Sequence, residues 1–169
     1  MTTLAQKQNT VAWLARKFIG AIETRPNGGP MVEMFQRAVD GTASGEPWCV
    51  GFVWFCVQAV DDLAVLLNGG AQNSRLHRTE WTIDLFEKSP HQYDDPAIGR
   101  VVVWQNEVNE NRGHCGIVVD FVGDSIVTIE ANTSAASGDQ RDGDGVWLKK
   151  RPGGKIPGFK RLGYLGPWE

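Results

Sequence analysis

The chain has 169 residues, of which 41% are hydrophobic and 22% are charged, and this balance is typical of one globular domain with a substantial core. Its net charge of -3 gives no general attraction to nucleic acid or to an anionic membrane, so we expect neither as a partner. No apolar run approaches the roughly 20 residues of a membrane-spanning helix, and three cysteines do not make a disulfide framework.

The first half of the chain predicts helices. Apolar residues recur there at helical intervals, and turn sequences such as Asn27-Gly28-Gly29-Pro30 separate the segments. The predicted helices cover residues 3–23, 31–39, 48–67 and 79–88.

The second half predicts β-strands. Runs rich in β-branched and aromatic residues are separated by turn sequences, of which Gly123-Asp124 indicates a hairpin. The predicted strands cover residues 100–104, 114–121, 125–132, 145–150 and 159–165. Helices followed by strands predict an α+β fold, with N-terminal helices packed on a mainly antiparallel sheet in a single domain over residues 1–169.

Two cysteines lie in the apolar segment of residues 45–56, and their positions differ. Cys49 follows Pro47 at the predicted start of a helix, where unpaired backbone N–H groups and the helix dipole favour a thiolate. Cys56 lies two turns deeper, where packing is its expected role. We interpret Cys49 as a nucleophile, although on position alone a small buried hydrophobic residue is an equal alternative.

A nucleophilic cysteine needs a base, and the chain has three histidines. His77 and His91 lie in polar or loop sequence, whereas His114 opens an apolar strand between Gly113 and Gly116. These glycines leave room for another group to approach the ring, so His114 is the candidate base. A lone histidine at a strand start is more often structural.

The base in turn needs an orienting group. Glu130 and Asn132 lie two residues apart on the following strand and therefore on one face. A three-residue loop at 122–124 would pair Glu130 with Gly116 and Asn132 with His114, whereas a two-residue loop would turn both side chains to the other face. The catalytic interpretation therefore predicts the longer loop.

In order and spacing, several segments resemble the CHAP domain family of cysteine- and histidine-dependent amidohydrolases and peptidases, whose fold is papain-like. The resemblance is carried by residues 27–30 with Glu33, 46–53, 113–118, 128–134 and 143–146, and it spans about residues 25–165. Three residues depart from the family pattern: Arg100 replaces an aspartate, Cys115 an aliphatic residue and Ala131 a glycine. Cys115 is expected to point away from the site, because neighbours on a strand face opposite sides.

The resemblance implies a role for each candidate residue. Cys49 would be the nucleophile, His114 the general base and then the general acid, Glu130 the group that orients the imidazole, and Asn132 a support of the polar site. We expect no metal and no other cofactor.

The resemblance also implies peptidoglycan as the substrate, cut either between N-acetylmuramate and L-alanine or within the peptide. Trp48 and Trp104 are candidates to line the substrate groove, although packing in the core is the commoner role of such rings. The polar N-terminus lacks a secretory signal. We therefore expect a monomer that is made in the cytoplasm, has no membrane insertion and acts on the bacterial cell wall, in the periplasm or outside the cell. The sequence fits a phage lysin, an injected antibacterial effector or a piece of a longer protein. Further partners would be a holin, a secretion apparatus or an immunity protein.

Three alternatives remain open. A metal site could use Cys49, His114 and Cys115, but the spacing of zinc motifs is missing and strand neighbours diverge. A non-catalytic module could bind cell wall without cutting it, and a related cysteine enzyme could be an acyltransferase or a peptidase acting on another substrate. The basic residues 149–155 are interpreted as a solvated loop with weak attraction to an anionic wall.

Overall fold

Within residues 2–68, 74–135 and 143–169, which a computed structural model describes, the chain forms four helices and a six-stranded antiparallel sheet. The helices are α1 (Leu4–Arg16), α2 (Pro30–Asp40), α3 (Cys49–Asn68) and α4 (Thr82–Lys88). The strands are β1 (Gln92–Tyr93), β2 (Val101–Asn106), β3 (Gly113–Val122), β4 (Ser125–Thr133), β5 (Gly145–Pro152) and β6 (Phe159–Leu165). The predicted α+β class is confirmed.

The predicted helices are present, but some of their ends differ. α1 ends at Arg16 rather than at residue 23, because the chain turns through Gly20, whose φ of +88° suits glycine. The backbone N–H of Gly20 then donates to the carbonyl of Val146, 2.9 Å away, which ties the end of this turn to β5. α4 begins at Thr82 rather than at residue 79, because Trp81 still has extended backbone.

The sheet has the strand order β1-β6-β2-β3-β4-β5, so the last strand in the sequence lies between β1 and β2. α1, α2 and α3 form the main core with one face of the sheet. The connection from β5 to β6 covers part of the other face, where Ile156 packs in a second cluster with Trp104. There the indole N–H of Trp104 donates to the carbonyl of Gly154, 2.8 Å away.

α3 is the central helix of the main core, and a glycine lets α2 approach it closely. A Cβ atom on Gly51 would lie 2.7 Å from the backbone oxygen of Phe35, so only glycine fits at this crossing. The ring of Phe35 stacks on Trp48, with centroids 5.7 Å apart. This packing holds the first turn of α3 against α2.

α3 also has the length and composition of a membrane-spanning helix. Its window Cys49–Leu67 has a mean hydropathy of 1.8, so the expectation that no apolar run is long enough is wrong. In the structure 56% of that window is buried, and the core helix of a folded domain meets the same criteria. The buried carboxylate of Asp61 lies within the window and binds the ammonium group of Lys7.

The turn of the β3–β4 hairpin differs from the predicted one. Val122 pairs with Ser125, so the loop consists of two residues, Gly123 and Asp124. The prediction of a three-residue loop is wrong, because the ladder extends one residue further than the sequence indicated. A two-residue loop alone would turn Glu130 away from His114.

A bulge at Val119 restores the register that the catalytic interpretation requires. The pairing shifts between Val118 and Asp120, so that one extra residue is accommodated in β3. Beyond the bulge, Gly116 pairs with Glu130, as predicted. The side chain of Glu130 therefore lies on the same face of the sheet as that of His114.

Candidate active site

Cys49 is the first residue of α3 and lies at the bottom of a narrow cleft. The backbone N–H of Phe52 donates to the carbonyl of Trp48, 3.0 Å away, which closes the first turn and leaves the preceding N–H groups without helical partners. The Cys49 sulfur lies 3.7 Å from the hydroxyl of Thr82, at the start of α4. The Cys49 residue is 4% exposed, which leaves one side of the nucleophile candidate open to the cleft.

The turn that begins with Asn27 fixes the segment leading into α3. The carboxylate of Glu23 accepts hydrogen bonds from the indole N–H of Trp48 (2.8 Å) and from the backbone N–H of Asn27 (3.0 Å). The side-chain amide of Gln36 donates to the carbonyls of Asn27 and Glu46, at 3.1 and 2.7 Å. The chain before Cys49 is thereby bound to both the turn and α2.

His114 lies fully buried at the start of β3 and is held from two sides. Its Nε2 atom lies 2.9 Å from a carboxylate oxygen of Glu130. The ring of Trp104, the cross-strand neighbour on β2, stacks on the imidazole with a centroid distance of 6.0 Å. A Cβ atom on Gly116 would lie 2.6 Å from the Cγ atom of Glu130, so this glycine makes the space that the carboxylate occupies.

Glu130 is fully buried and has two residues bound to its carboxylate besides His114. The guanidinium of Arg151 donates to both of its oxygens, with Nε 2.8 Å from Oε1. The hydroxyl of Thr128 donates to Oε1 over 2.6 Å. A buried carboxylate that is bound by a guanidinium fork is strongly fixed in position.

These contacts shift the pKa values of the carboxylate and the imidazole in opposite directions. Burial alone would raise the pKa of Glu130, but the hydrogen bonds from Arg151 and His114 outweigh burial and lower it to about 2. Burial alone would lower the pKa of His114, but contact with Cys49 and Glu130 outweighs it and raises the pKa to about 9. At neutral pH Glu130 is therefore a carboxylate and His114 an imidazolium.

Cys115 lies next to Cys49, which contradicts the expectation that it points away from the site. Hydrogen bonding from the Cys115 thiol is the largest cause that lowers the pKa of Cys49 well below its usual value, against burial and with further help from His114. The pKa of Cys115 is correspondingly raised well above its usual value. The expectation failed because Cys49 enters the site from the helix side of the sheet, the side that Cys115 faces.

Cys49 and His114 therefore form a thiolate–imidazolium pair at neutral pH, the reactive form of a cysteine nucleophile. Cys56 differs sharply, since burial alone raises the pKa of its thiol. The opposite pKa shifts of Cys49 and Cys56 are the physical basis of the distinction that the sequence predicted between them.

Asn132 is buried beyond Glu130, at a distortion in the strand. Its φ of +56° is unusual for a residue other than glycine, and the β4–β5 register is irregular between Glu130 and Thr133. The β3–β4 ladder ends at the pair of Gly116 and Glu130, so the predicted pairing of Asn132 with His114 is not part of it. A supporting role of Asn132 stays a prediction.

The exposed aromatic residue at the cleft is Trp81, not either of the two predicted tryptophans. Trp48 and Trp104 are 1% and 0% exposed, so their rings support the site from inside and present no surface to a substrate. The cleft above Cys49 has a volume of about 30 Å³, and an adjoining cleft of about 440 Å³ shares Trp81 and Asn111 with it. Trp81 is 54% exposed between the two.

Sequence reasoning also missed Arg151, which it assigned to a solvated loop. Residues 149–152 of the basic run lie instead on β5, where Arg151 is buried and Lys150 is exposed. The available signal was the alternation of side chains between the two faces of a strand, which puts Lys149 and Arg151 on one face and Lys150 on the other.

Among the described residues, no group of three or more His, Cys, Asp or Glu side chains is arranged to hold a metal ion.

Helices packed on an antiparallel sheet, with a cysteine at a helix start beside a strand histidine, place the chain in the papain-like class of α+β proteins. A CHAP domain model matches residues 41–132, more than half of the chain, and the chain belongs to this family. The matched residues include Cys49, His114 and Glu130. The family consists of amidases and peptidases, typically hydrolases of peptidoglycan. Comparisons with curated proteins and with solved structures gave no match.

Proposed function

We propose that this protein is a peptidoglycan hydrolase that cleaves an amide bond through a thioester on Cys49. The observation that supports the proposal best is the buried row of Cys49, His114 and Glu130, with the sulfur open to a cleft. The pKa shifts of these three groups favour the charged forms that a cysteine hydrolase uses.

In the first step, the Cys49 thiolate attacks the carbonyl carbon of the scissile amide, and the carbonyl oxygen becomes an oxyanion. We assign the backbone N–H groups at the start of α3, including that of Cys49, as the hydrogen-bond donors to this oxygen. The proton on His114 then passes to the nitrogen of the leaving amine, the carbon–nitrogen bond breaks and a thioester remains.

In the second step, neutral His114 takes a proton from water, which attacks the thioester. The carbon–sulfur bond breaks, the carboxylic acid product leaves and the thiolate–imidazolium pair is restored. Glu130 holds the imidazole orientation throughout, because Arg151 and Thr128 fix its carboxylate.

The same residues could cut either of two amide bonds, N-acetylmuramoyl-L-alanine or a bond within the peptide stem or cross-bridge. A phage lysin and an antibacterial effector are the biological settings that we propose. The protein would act on the bacterial cell wall as a monomer, with a holin, a secretion apparatus or an immunity protein as accompanying partners.

Replacement of the nucleophile tests the proposal. We expect Cys49→Ala to lower the rate of peptidoglycan hydrolysis by at least about 10⁴-fold, since a catalytic nucleophile contributes at least that much. Purified sacculi are incubated with the protein, and the released fragments are identified by mass spectrometry, which also shows which amide is cut. Cys56→Ala is the matched control and should keep its turnover at temperatures where it stays folded. A folded Cys49→Ala protein with full activity would contradict the mechanism, and wild-type binding to sacculi without fragments would contradict the hydrolase itself.

We further propose that Trp81 contacts the substrate, because it is the exposed aromatic ring beside Cys49. Trp81→Ala should raise KM by about tenfold, equivalent to about 1.4 kcal/mol of lost contact, with a smaller change in kcat. The matched control is Trp13→Ala on α1, since Trp13 is 58% exposed. Equal effects of the two substitutions would remove Trp81 from the binding site.

A further inference from the structure

Cys49 has a second cysteine as its neighbour inside the protein. On β3, Cys115 pairs with Val103, and both side chains face the helical layer that contains Cys49. His114 pairs with Trp104, stacks on its ring and so lies on the other face of β3. The Cys115 thiol neighbours the Cys49 sulfur closely enough for each group to shift the pKa of the other, and all three cysteines of the chain are free thiols.

The two sulfur atoms differ in their access to solvent. Cys49 lines the cleft and is 4% exposed, whereas Cys115 is completely enclosed. A small solute that enters the cleft therefore meets Cys49 first. Cys115 can react only with a group already attached to Cys49.

The state of Cys49 also suits oxidation. Thiolates react with peroxides, whereas protonated thiols scarcely do, and Cys115 and His114 together keep Cys49 in the thiolate form. A sulfenic acid formed on such a residue proceeds to the sulfinic acid unless a nearby thiol captures it. Cys115 is such a thiol.

We propose that Cys49 and Cys115 form a redox modification site, at which a peroxide converts the pair to a reversible intramolecular disulfide. In the first step the Cys49 sulfur attacks the peroxide, a sulfur–oxygen bond forms and the oxygen–oxygen bond breaks. The sulfur is oxidised by two electrons, and the departing hydroxide takes the proton of His114 to become water.

In the second step the Cys115 sulfur attacks the sulfenic sulfur of Cys49. The sulfur–sulfur bond forms, the sulfur–oxygen bond breaks and the Cys115 proton leaves with the hydroxyl group as water. The sum is two thiols and one peroxide giving one disulfide and two waters. A dithiol reductant reverses the oxidation.

The disulfide blocks hydrolysis reversibly and protects Cys49 from irreversible oxidation. The loss of hydrolysis rests on the proposed function, whereas the formation of the disulfide does not. Peptide mapping therefore tests the modification site even if the protein fails to cut peptidoglycan.

In the test, the full chain is treated with hydrogen peroxide, its remaining thiols are blocked with N-ethylmaleimide, and it is digested without reduction. Mass spectrometry should find the peptides of Cys49 and Cys115 joined and lighter by two hydrogens, with Cys56 blocked. Dithiothreitol should separate the peptides and restore most of the activity on sacculi.

Two variants sharpen the result. Cys115→Val should give no joined peptide, accumulate sulfinic acid on Cys49 and regain little activity with dithiothreitol. Cys56→Val should behave as the wild type. Two results in the wild type would overturn the proposal. One is sulfinic acid on Cys49 together with an N-ethylmaleimide-blocked Cys115, and the other is a disulfide to Cys56. If Cys115→Val does not fold, the peptide mapping of the wild type is a sufficient test.

Discussion

The active site contains a row of four groups that adjoin one another in space and alternate in charge. They are the thiolate of Cys49, the imidazolium of His114, the carboxylate of Glu130 and the guanidinium of Arg151. Each charge is buried, which would be costly for any one of them alone. Each is stabilised by the neighbour of opposite sign. The reactivity of Cys49 is therefore a property of the whole row rather than of the helix start alone.

Contact with Cys49 and then with Glu130 keeps His114 protonated, which gives a prediction on pH. The pKa of His114 is raised to about 9, so its proton stabilises the fold fully below about 6.5, and this stabilisation is lost as pH rises through about 9. Hydrolysis should fall over the same alkaline range, because neutral His114 cannot protonate the leaving amine. Glu130→Gln removes the carboxylate charge and should move this alkaline decline to lower pH.

The measurement is the pH profile of kcat/KM on a soluble peptidoglycan fragment. The control is Glu110→Gln, because Glu110 is an exposed carboxylate of the adjoining cleft and does not contact His114. An alkaline limb that stays in place in Glu130→Gln would show that another group supplies the proton.

At the scale of elements, β5 supports the active site through Arg151. Arg151→Met should lower the free energy of unfolding by about 3–5 kcal/mol, because it leaves the carboxylate of Glu130 buried without its guanidinium. Lys150→Met, at the neighbouring exposed position, should change it by no more than about 0.5 kcal/mol.

The pH dependence separates a specific role of Arg151 from mere packing. The pKa of Glu130 is lowered to about 2, so its charge stabilises the fold above about 4.5, and this is lost as pH falls through about 2. Without Arg151, acid unfolding should begin at higher pH. Urea titrations at several pH values measure both effects, and equal curves for the two variants would contradict the role given to Arg151.

The β3–β4 hairpin shows how far the sequence could predict the site. The catalytic interpretation required Glu130 opposite Gly116 and derived that pairing from a three-residue loop; the pairing is present, although a two-residue turn and a bulge produce it. The two-residue turn shifts the strand register by one residue, and the bulge at Val119 shifts it back. No local sequence pattern distinguishes this combination from a single three-residue loop. The pairing could be inferred from the geometry that catalysis requires, whereas the turn and bulge that produce it could not be read from the sequence.

The remaining errors concern side chains whose environment comes from distant segments. Trp48 and Trp81 are both near Cys49 in space, but only packing against Phe35 decides that the first is buried. Cys115 was assigned correctly to the face opposite His114, yet the approach of α3 brought Cys49 to that face. Tertiary contacts of this kind leave no periodic signal in the chain.

At the scale of the molecule, Asp61 of α3 joins three distant segments. Its carboxylate binds the ammonium of Lys7 on α1 (2.6 Å), the indole N–H of Trp168 (2.8 Å) and the backbone N–H of Ser74 (2.9 Å). Both charged side chains of the pair with Lys7 are buried. This contact connects both ends of the described chain to the helix that carries Cys49.

Removal of the Asp61 carboxylate should destabilise the whole molecule while leaving the chemistry of the site intact. Asp61→Ala should lower the free energy of unfolding by about 3–5 kcal/mol, because Lys7 remains buried without its counter-charge. The control is Glu87→Ala, an exposed carboxylate on α4, with an expected change within about 0.5 kcal/mol. Urea denaturation measures both, and a loss in Asp61→Ala no larger than in the control would refute this role.

The place of β6 between β1 and β2 determines when the site can be completed during synthesis. Cys49, His114, Glu130 and Arg151 all leave the ribosome before residues 159–165 do, yet β2, whose Trp104 stacks on His114, has an open edge until β6 pairs with it. Pairing between strands so far apart in the sequence is slow to form. The nascent chain thus holds every reactive group before it holds the sheet that arranges them, because β6 follows the other five described strands and pairs with two of them.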